Sequence, residues 1–205
     1  METTHWSRRD FIAAGVAGAL GACMAPSWAA SATAVAAAAG TPAPRVLIVG
    51  DSMSAEYGLA RGQGWVALLQ ERVAAQKLPV QVHNASLSGD TTAGGRARLP
   101  ALLAQQPPAV VVIELGGNDA LRGLPLLQTQ ANLAAMTEMA EKAGARVLLL
   151  GMQVPPNYGA DYSRAFAQTF ADVVKAKKTA LVPFLLKGVG DVPESQKWFQ
   201  SDRIH

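Results

Sequence analysis

From Arg45 onward, short apolar runs alternate with longer stretches in which apolar residues recur every three or four positions. The runs Val46–Val49, Val80–Ala85, Val110–Glu114, Val147–Leu150 and Ala180–Val182 predict strands, and Gly64–Lys77, Thr92–Gln105, Leu126–Ala143 and Tyr162–Lys177 predict helices. The first run is continuous rather than alternating, as in a strand buried on both faces. Helices of this length between successive strands imply right-handed crossovers and a parallel sheet. The predicted architecture is a three-layer α/β/α sandwich around five parallel strands.

Parallel strands open their carboxyl ends onto one edge, where ligands bind in folds of this class. Each predicted strand end carries a small, polar or glycine-rich cluster. Asp51-Ser52 follows the first, Asn84-Ala-Ser-Leu-Ser-Gly-Asp-Thr-Thr92 the second, Gly116-Gly-Asn-Asp119 the third and Gly151-Met-Gln-Val-Pro-Pro-Asn-Tyr158 the fourth, and Ser201-Asp-Arg-Ile-His205 closes the sequence. Ser52, leaving a buried strand at Gly50-Asp51, is a candidate nucleophile. Taken alone, Gly-Asp-Ser reads as readily as a polar turn.

Composition narrows the classes. Half of the 205 residues are hydrophobic, enough for one domain with a core, and the net charge is only +3. No basic run interleaved with aromatics occurs, so no nucleic-acid partner is expected. The first forty residues are not read as part of the fold. Arg8-Arg9 precede an apolar Gly/Ala-rich stretch from Phe11 to Cys23, the layout of a twin-arginine export signal. Residues 1–32 are expected to be that signal, 33–44 an Ala/Thr/Pro linker and 45–205 the domain. Periplasmic or secreted localisation follows. Leu20-Gly-Ala-Cys23 also resembles a lipoprotein box, which would tether the protein to a membrane through Cys23. Cys23 is the only cysteine, so the domain is expected to hold no disulfide.

A serine needs a base to take its proton, most often a histidine held by a carboxylate. Three histidines exist: His5 lies in the signal, and His83 lies within a predicted strand, where a sheet-face role suits it. His205 remains, with Asp202 three residues earlier, a spacing that projects both side chains to one side of a turn. A solvated charged terminus is the alternative for that segment. Acyl transfer also needs donors for the developing oxyanion. The Ser52 and Gly89 amides and the Asn118 side chain could converge from three strand ends, although turn roles are open to Gly89 and Asn118. Too few histidines and no clustered carboxylates argue against a metal, and no cofactor is expected. Gly62-Gln-Gly-Trp-Val-Ala67 matches a dinucleotide pattern but does not directly follow a strand, and reads as a loop and helix start.

Gly50-Asp-Ser-Met-Ser54, Gly89, Gly116-Gly-Asn-Asp119 and Asp202-Arg-Ile-His205 together resemble, in order and spacing, the four blocks of the SGNH (GDSL-type) hydrolases. The text around them is similar to the branch of multifunctional acyl-CoA thioesterases, lysophospholipases and arylesterases. The resemblance implies a flavodoxin-like fold and an esterase working through an acyl-enzyme. It implies Ser52, Asp202 and His205 as the triad, with Ser52, Gly89 and Asn118 as oxyanion donors. Asp51, Leu121, Pro155 and Tyr158 are further candidates to meet a small ester or lipid substrate, and a monomer is expected. Two departures stand out. Met53 replaces a frequent leucine, a swap of similar volume. The family also continues past the histidine with a proline and a terminal helix, so the domain is expected to lack that helix and its last segment to fray. The same triad would serve an acyltransferase or a carbohydrate deacetylase, and a truncated, inactive surface protein is a non-catalytic alternative.

Overall fold

The structure, a computed structural model, describes residues 42–205. The signal, linker start, His5 and Cys23 lie outside the described residues. Five strands, β1 (Arg45–Gly50), β2 (Gln81–Asn84), β3 (Val110–Glu114), β4 (Arg146–Leu150) and β5 (Ala180–Val182), form one sheet in the order β2-β1-β3-β4-β5. Every pairing is parallel, with Val46 opposite Val110 and Gly50 opposite Glu114 at the centre. This is the flavodoxin-like order, and its topological switch point lies between β1 and β3.

Helices α1 (Trp65–Ala75), α2 (Thr92–Gln105), α3 (Gly117–Leu121), α4 (Leu126–Lys142) and α5 (Ala160–Lys177) connect the strands. Alternation along the central strands divides the core in two. Leu47, Val49, Val111, Ile113 and Leu149 face one side, where Leu99 and Leu103 of α2, Leu133 and Met136 of α4 and Phe166 and Phe170 of α5 close over them. Ile48, Val112 and Leu150 face the other side and meet Val66 of α1 and the half-buried Leu185. The predicted three-layer arrangement is thus present. The apolar periodicity located four of the five helices, α2 to the residue. It missed α3, whose five residues are too few to show a period and begin with Gly-Asn, poor helix formers.

Strong apolar burial on both faces of β1 and β3 fixes their register, and register in turn fixes what leaves their carboxyl ends. The chain emerges from β1 into the turn at residues 51–54 and from β3 into α3, so Ser52 and Asn118 start from adjacent strands at the switch point.

Candidate active site

The turn after β1 is held from beneath by the core. Ser54 is 1 % exposed and donates its hydroxyl to Glu114 Oε2 at 2.6 Å, while Trp65 Nε1 of α1 donates to Ser54 Oγ at 3.1 Å. The Asp51 N–H also reaches Glu114 Oε2, at 3.3 Å, and Asn84 at the end of β2 donates its side-chain amide to the Ser54 carbonyl at 2.7 Å. Three strands therefore set one turn, and Ser52 projects from it. A turn fixed in this way leaves the Ser52 backbone little conformational freedom to lose on reaction.

His205 meets that hydroxyl from the far end of the chain. Its Nε2 lies 2.7 Å from Ser52 Oγ and its Nδ1 lies 2.6 Å from Asp202 Oδ2. The backbone N–H groups of His205 and Ile204 donate to Asp202 Oδ1 at 3.0 and 2.9 Å. These two amides, and then the imidazole, hold the Asp202 carboxyl down at about 2, so it is an acceptor at neutral pH. An anionic acceptor on Nδ1 requires the proton there, which leaves Nε2 free to accept from Ser52. Arg203 makes the tight turn between the two with a left-handed φ of 57°. The segment is seated rather than loose: Gln200 Nε2 donates to the Tyr57 carbonyl at 2.9 Å, and the Tyr57 ring stands 4.5 Å from the imidazole, centre to centre.

The candidate oxyanion donors come to the same edge. Asn118, second residue of α3, donates through Nδ2 to Asp51 Oδ2 at 3.0 Å. Gly89 has φ of 79°, a conformation that suits glycine, and its carbonyl accepts from Arg122 at 2.7 Å. The loop before α2 is further braced by Arg98, which pairs with Asp90 at 2.8 Å and also donates to the Ala85 carbonyl. Among the described residues neither the Ser52 nor the Gly89 N–H has a protein acceptor, which leaves both available as donors. Asp119 ties the two loops together: its carboxylate accepts from the Thr92 N–H at 2.8 Å and from the hydroxyls of Thr92 and Thr129, all buried.

The other candidates are placed differently. Asp51 is 2 % exposed, with Oδ1 taking the Met53 N–H at 3.0 Å and Oδ2 taking Asn118, so its oxygens point into the protein. Leu121 ends α3 and is exposed. Pro155 leads into a single 3₁₀ turn, Pro156–Tyr158, and the Tyr158 ring packs 5.8 Å from Tyr162, the start of an aromatic row that continues through Phe166 to Phe170. His83 sits on the exposed face of edge strand β2. Sequence reasoning gave no role to Glu114, Tyr57, Ser54 or Asp119. Ser54 and Asp119 stood inside the recognised motif blocks, and Glu114 carried a signal of its own, as a lone charged residue closing the apolar run Val110–Ile113.

Residues 48–205 match the model of the GDSL-like Lipase/Acylhydrolase family. The esterase TesA of Pseudomonas aeruginosa is 58 % identical over 163 residues, 80 % of each chain. The thioesterase 1/protease 1/lysophospholipase L1 of Escherichia coli is 41 % identical over 163 residues, covering 80 % of this chain and 76 % of that one. Among solved structures, a crystal structure of TesA superimposes with a TM-score of 0.75 at 57 % identity, over 78 % of this chain and 88 % of that one.

Proposed function

The chain belongs to the GDSL-like lipase/acylhydrolase family, and from that premise we propose how its own residues carry out the family's chemistry. It is an enzyme that hydrolyses ester bonds of small-molecule substrates. Ser52 is the nucleophile. As its oxygen attacks the ester carbonyl, its proton passes to His205 Nε2, and Asp202 stabilises the imidazolium that forms. The tetrahedral oxyanion is held by the N–H groups of Ser52 and Gly89 and by Asn118 Nδ2. His205 then returns the proton to the leaving alkoxide as the carbon–oxygen bond breaks. A water, deprotonated by the same imidazole, cleaves the acyl-enzyme, releasing the acid and restoring Ser52.

The observation that carries this reading is the unbroken chain of 2.7 and 2.6 Å contacts from Ser52 through His205 to Asp202. Hydrolysis of p-nitrophenyl butyrate by wild type and Ser52→Ala is the test. Turnover is expected to vanish in the variant together with labelling by a fluorophosphonate probe, and a variant that still turns over would overturn the nucleophile. Thioesters and lysophospholipids are substrates of the same reaction class, with a thiolate or a glycerol hydroxyl leaving.

Export through the twin-arginine signal, followed either by release into the periplasm or by a lipid on Cys23, is supported by the Arg8-Arg9 pair and the apolar stretch behind it. If Cys23 is the anchor, Cys23→Ser is expected to move activity from the membrane fraction to the soluble one; unchanged partition leaves release as the outcome.

A further inference from the structure

One buried carboxyl beside the nucleophile takes no part in the steps above. Asp51 stands immediately before Ser52, is 2 % exposed, and directs its two oxygens at the Met53 N–H and at Asn118 Nδ2, each at 3.0 Å. Next to it is a second acid, Glu114, which is fully buried. Its Oε2 accepts from Ser54 and from the Asp51 N–H, while Oε1 has no partner among the described residues.

Two carboxyls enclosed side by side do not both ionise. Burial, and then the neighbouring Asp51, push Glu114 well above the usual carboxylate range. Asp51 is pushed up by burial only to about 6, because the Met53 and Asn118 donors, and more weakly His205, favour its charged form. The proton therefore belongs on Glu114 and the negative charge on Asp51. The remaining charged groups nearby do not change this assignment. Asp90, on the loop before α2, opposes the charge but is paired with Arg98, and Asp119 of α3 is turned toward Thr92.

An ionised carboxylate can only accept. Facing Asn118, it excludes the orientation in which the amide carbonyl points inward and selects the one in which the NH₂ does. One N–H is then spent on Asp51, and the second, on the same nitrogen, is left for the crevice.

We propose that Asp51 is a positioning residue for ester hydrolysis: its carboxylate selects and holds the side-chain orientation in which Asn118 presents an N–H to the oxyanion. The proposal rests on Asn118 being an oxyanion donor, and the test separates the two ideas. Rates on p-nitrophenyl butyrate are compared for wild type, Asp51→Asn, Asn118→Ala and the double variant. An asparagine at 51 offers the amide no charged acceptor and allows it to turn. Asp51→Asn is expected to lower kcat by roughly 10- to 100-fold with KM nearly unchanged. Asn118→Ala is expected to lower it on the order of 10²- to 10³-fold. The double variant is expected to be no worse than Asn118→Ala alone. Losses that multiply overturn the proposal and leave Asn118 as a donor. An Asn118→Ala enzyme with full activity removes the donor assignment and the proposal with it.

Should Asp51→Asn not fold, the pH dependence of kcat gives the same decision, because protonating Asp51 frees Asn118 to turn. Wild-type kcat is expected to fall more steeply below about pH 6 than that of Asn118→Ala, where Asp51 has nothing left to orient. Parallel profiles for the two enzymes overturn the proposal.

Discussion

The two halves of the candidate site are built in opposite ways. The nucleophile side is an extension of the core: Ser54, Asp51 and Glu114 are each 2 % exposed or less, and residues from three strands and α1 converge on a single turn. The base side is a surface turn, with Asp202, Arg203 and Ile204 exposed and only His205 half-buried, docked through Gln200 and the Tyr57 ring. The difference teaches that one half draws its precision from the packing that stabilises the fold, while the other draws it from a few local hydrogen bonds. Stability and activity should therefore separate along that divide.

The largest separation is expected at Asp202. Asp202→Asn keeps the shape of the turn but can no longer hold the imidazole with its proton on Nδ1, and kcat should fall by on the order of 10⁴-fold. The melting temperature should stay within about a degree, since the residue is exposed and such sites contribute little to stability. A melting temperature that drops along with kcat would mean that the base side supports the fold, erasing the contrast.

The nucleophile side should show itself through pH. Asp51 is raised from 3.8 to about 6 and Glu114 is raised well above its usual range, both chiefly by burial. A carboxyl raised in the folded state contributes stability that is fully present below its unfolded value and is lost as pH rises through its folded value. The melting temperature should therefore increase by a few degrees as pH is lowered from about 8 to about 5. His83, whose charged form is disfavoured by partial burial and then by Arg45, opposes this rise as pH falls below its ordinary value of 6.5, so the rise is the net of the two carboxyls over one imidazole. Asp202, held down at about 2, acts only as pH falls below about 4, outside that window. Glu114→Gln, which has no proton to take up on folding, should flatten the rise. Thermal melts of both proteins across the range are the measurement, and a melting temperature that falls toward pH 5 would contradict the buried pair.

The smallest effect is expected at Gln200. Removing its bond to the Tyr57 carbonyl in Gln200→Ala should cost about 1 kcal/mol of docking, a loss of roughly fivefold in kcat, with no change in melting temperature. A more direct perturbation of the same contact is Gly58→Ala. Gly58 has φ of 72°, and a methyl there would run into the Gln200 side chain. Its activity should fall below that of Gln200→Ala, because the dock is then obstructed rather than loosened.

The same divide governs what could be read from the sequence. The apolar run that makes β3 marked that strand to the residue, because a strand buried on both faces leaves a continuous hydrophobic record. The β5 strand was also placed to the residue, although it lies at the sheet edge with Ala180 and Val182 exposed. The residues at the strand ends were legible as a group because parallel topology requires their side chains to share an edge. What joins them was not. The Asp51–Glu114 contact spans 63 residues and exists only because Gly50 pairs with Glu114 across two strands. The Tyr57–Gln200 bond spans 143 residues and links two loops that have no periodicity at all. Asp119 lies beside Asn118 in the recognised motif, yet its work is to clamp Thr92 and Thr129, a role that depends on how α2 and α4 pack.

Because Asp202 and His205 ride on one four-residue turn bound through its own amides, they move as a cartridge. Warming that undocks the turn would withdraw proton acceptor and counter-ion together while leaving Ser52 in place on an intact sheet. Catalytic failure should thus precede melting on heating and reverse on cooling.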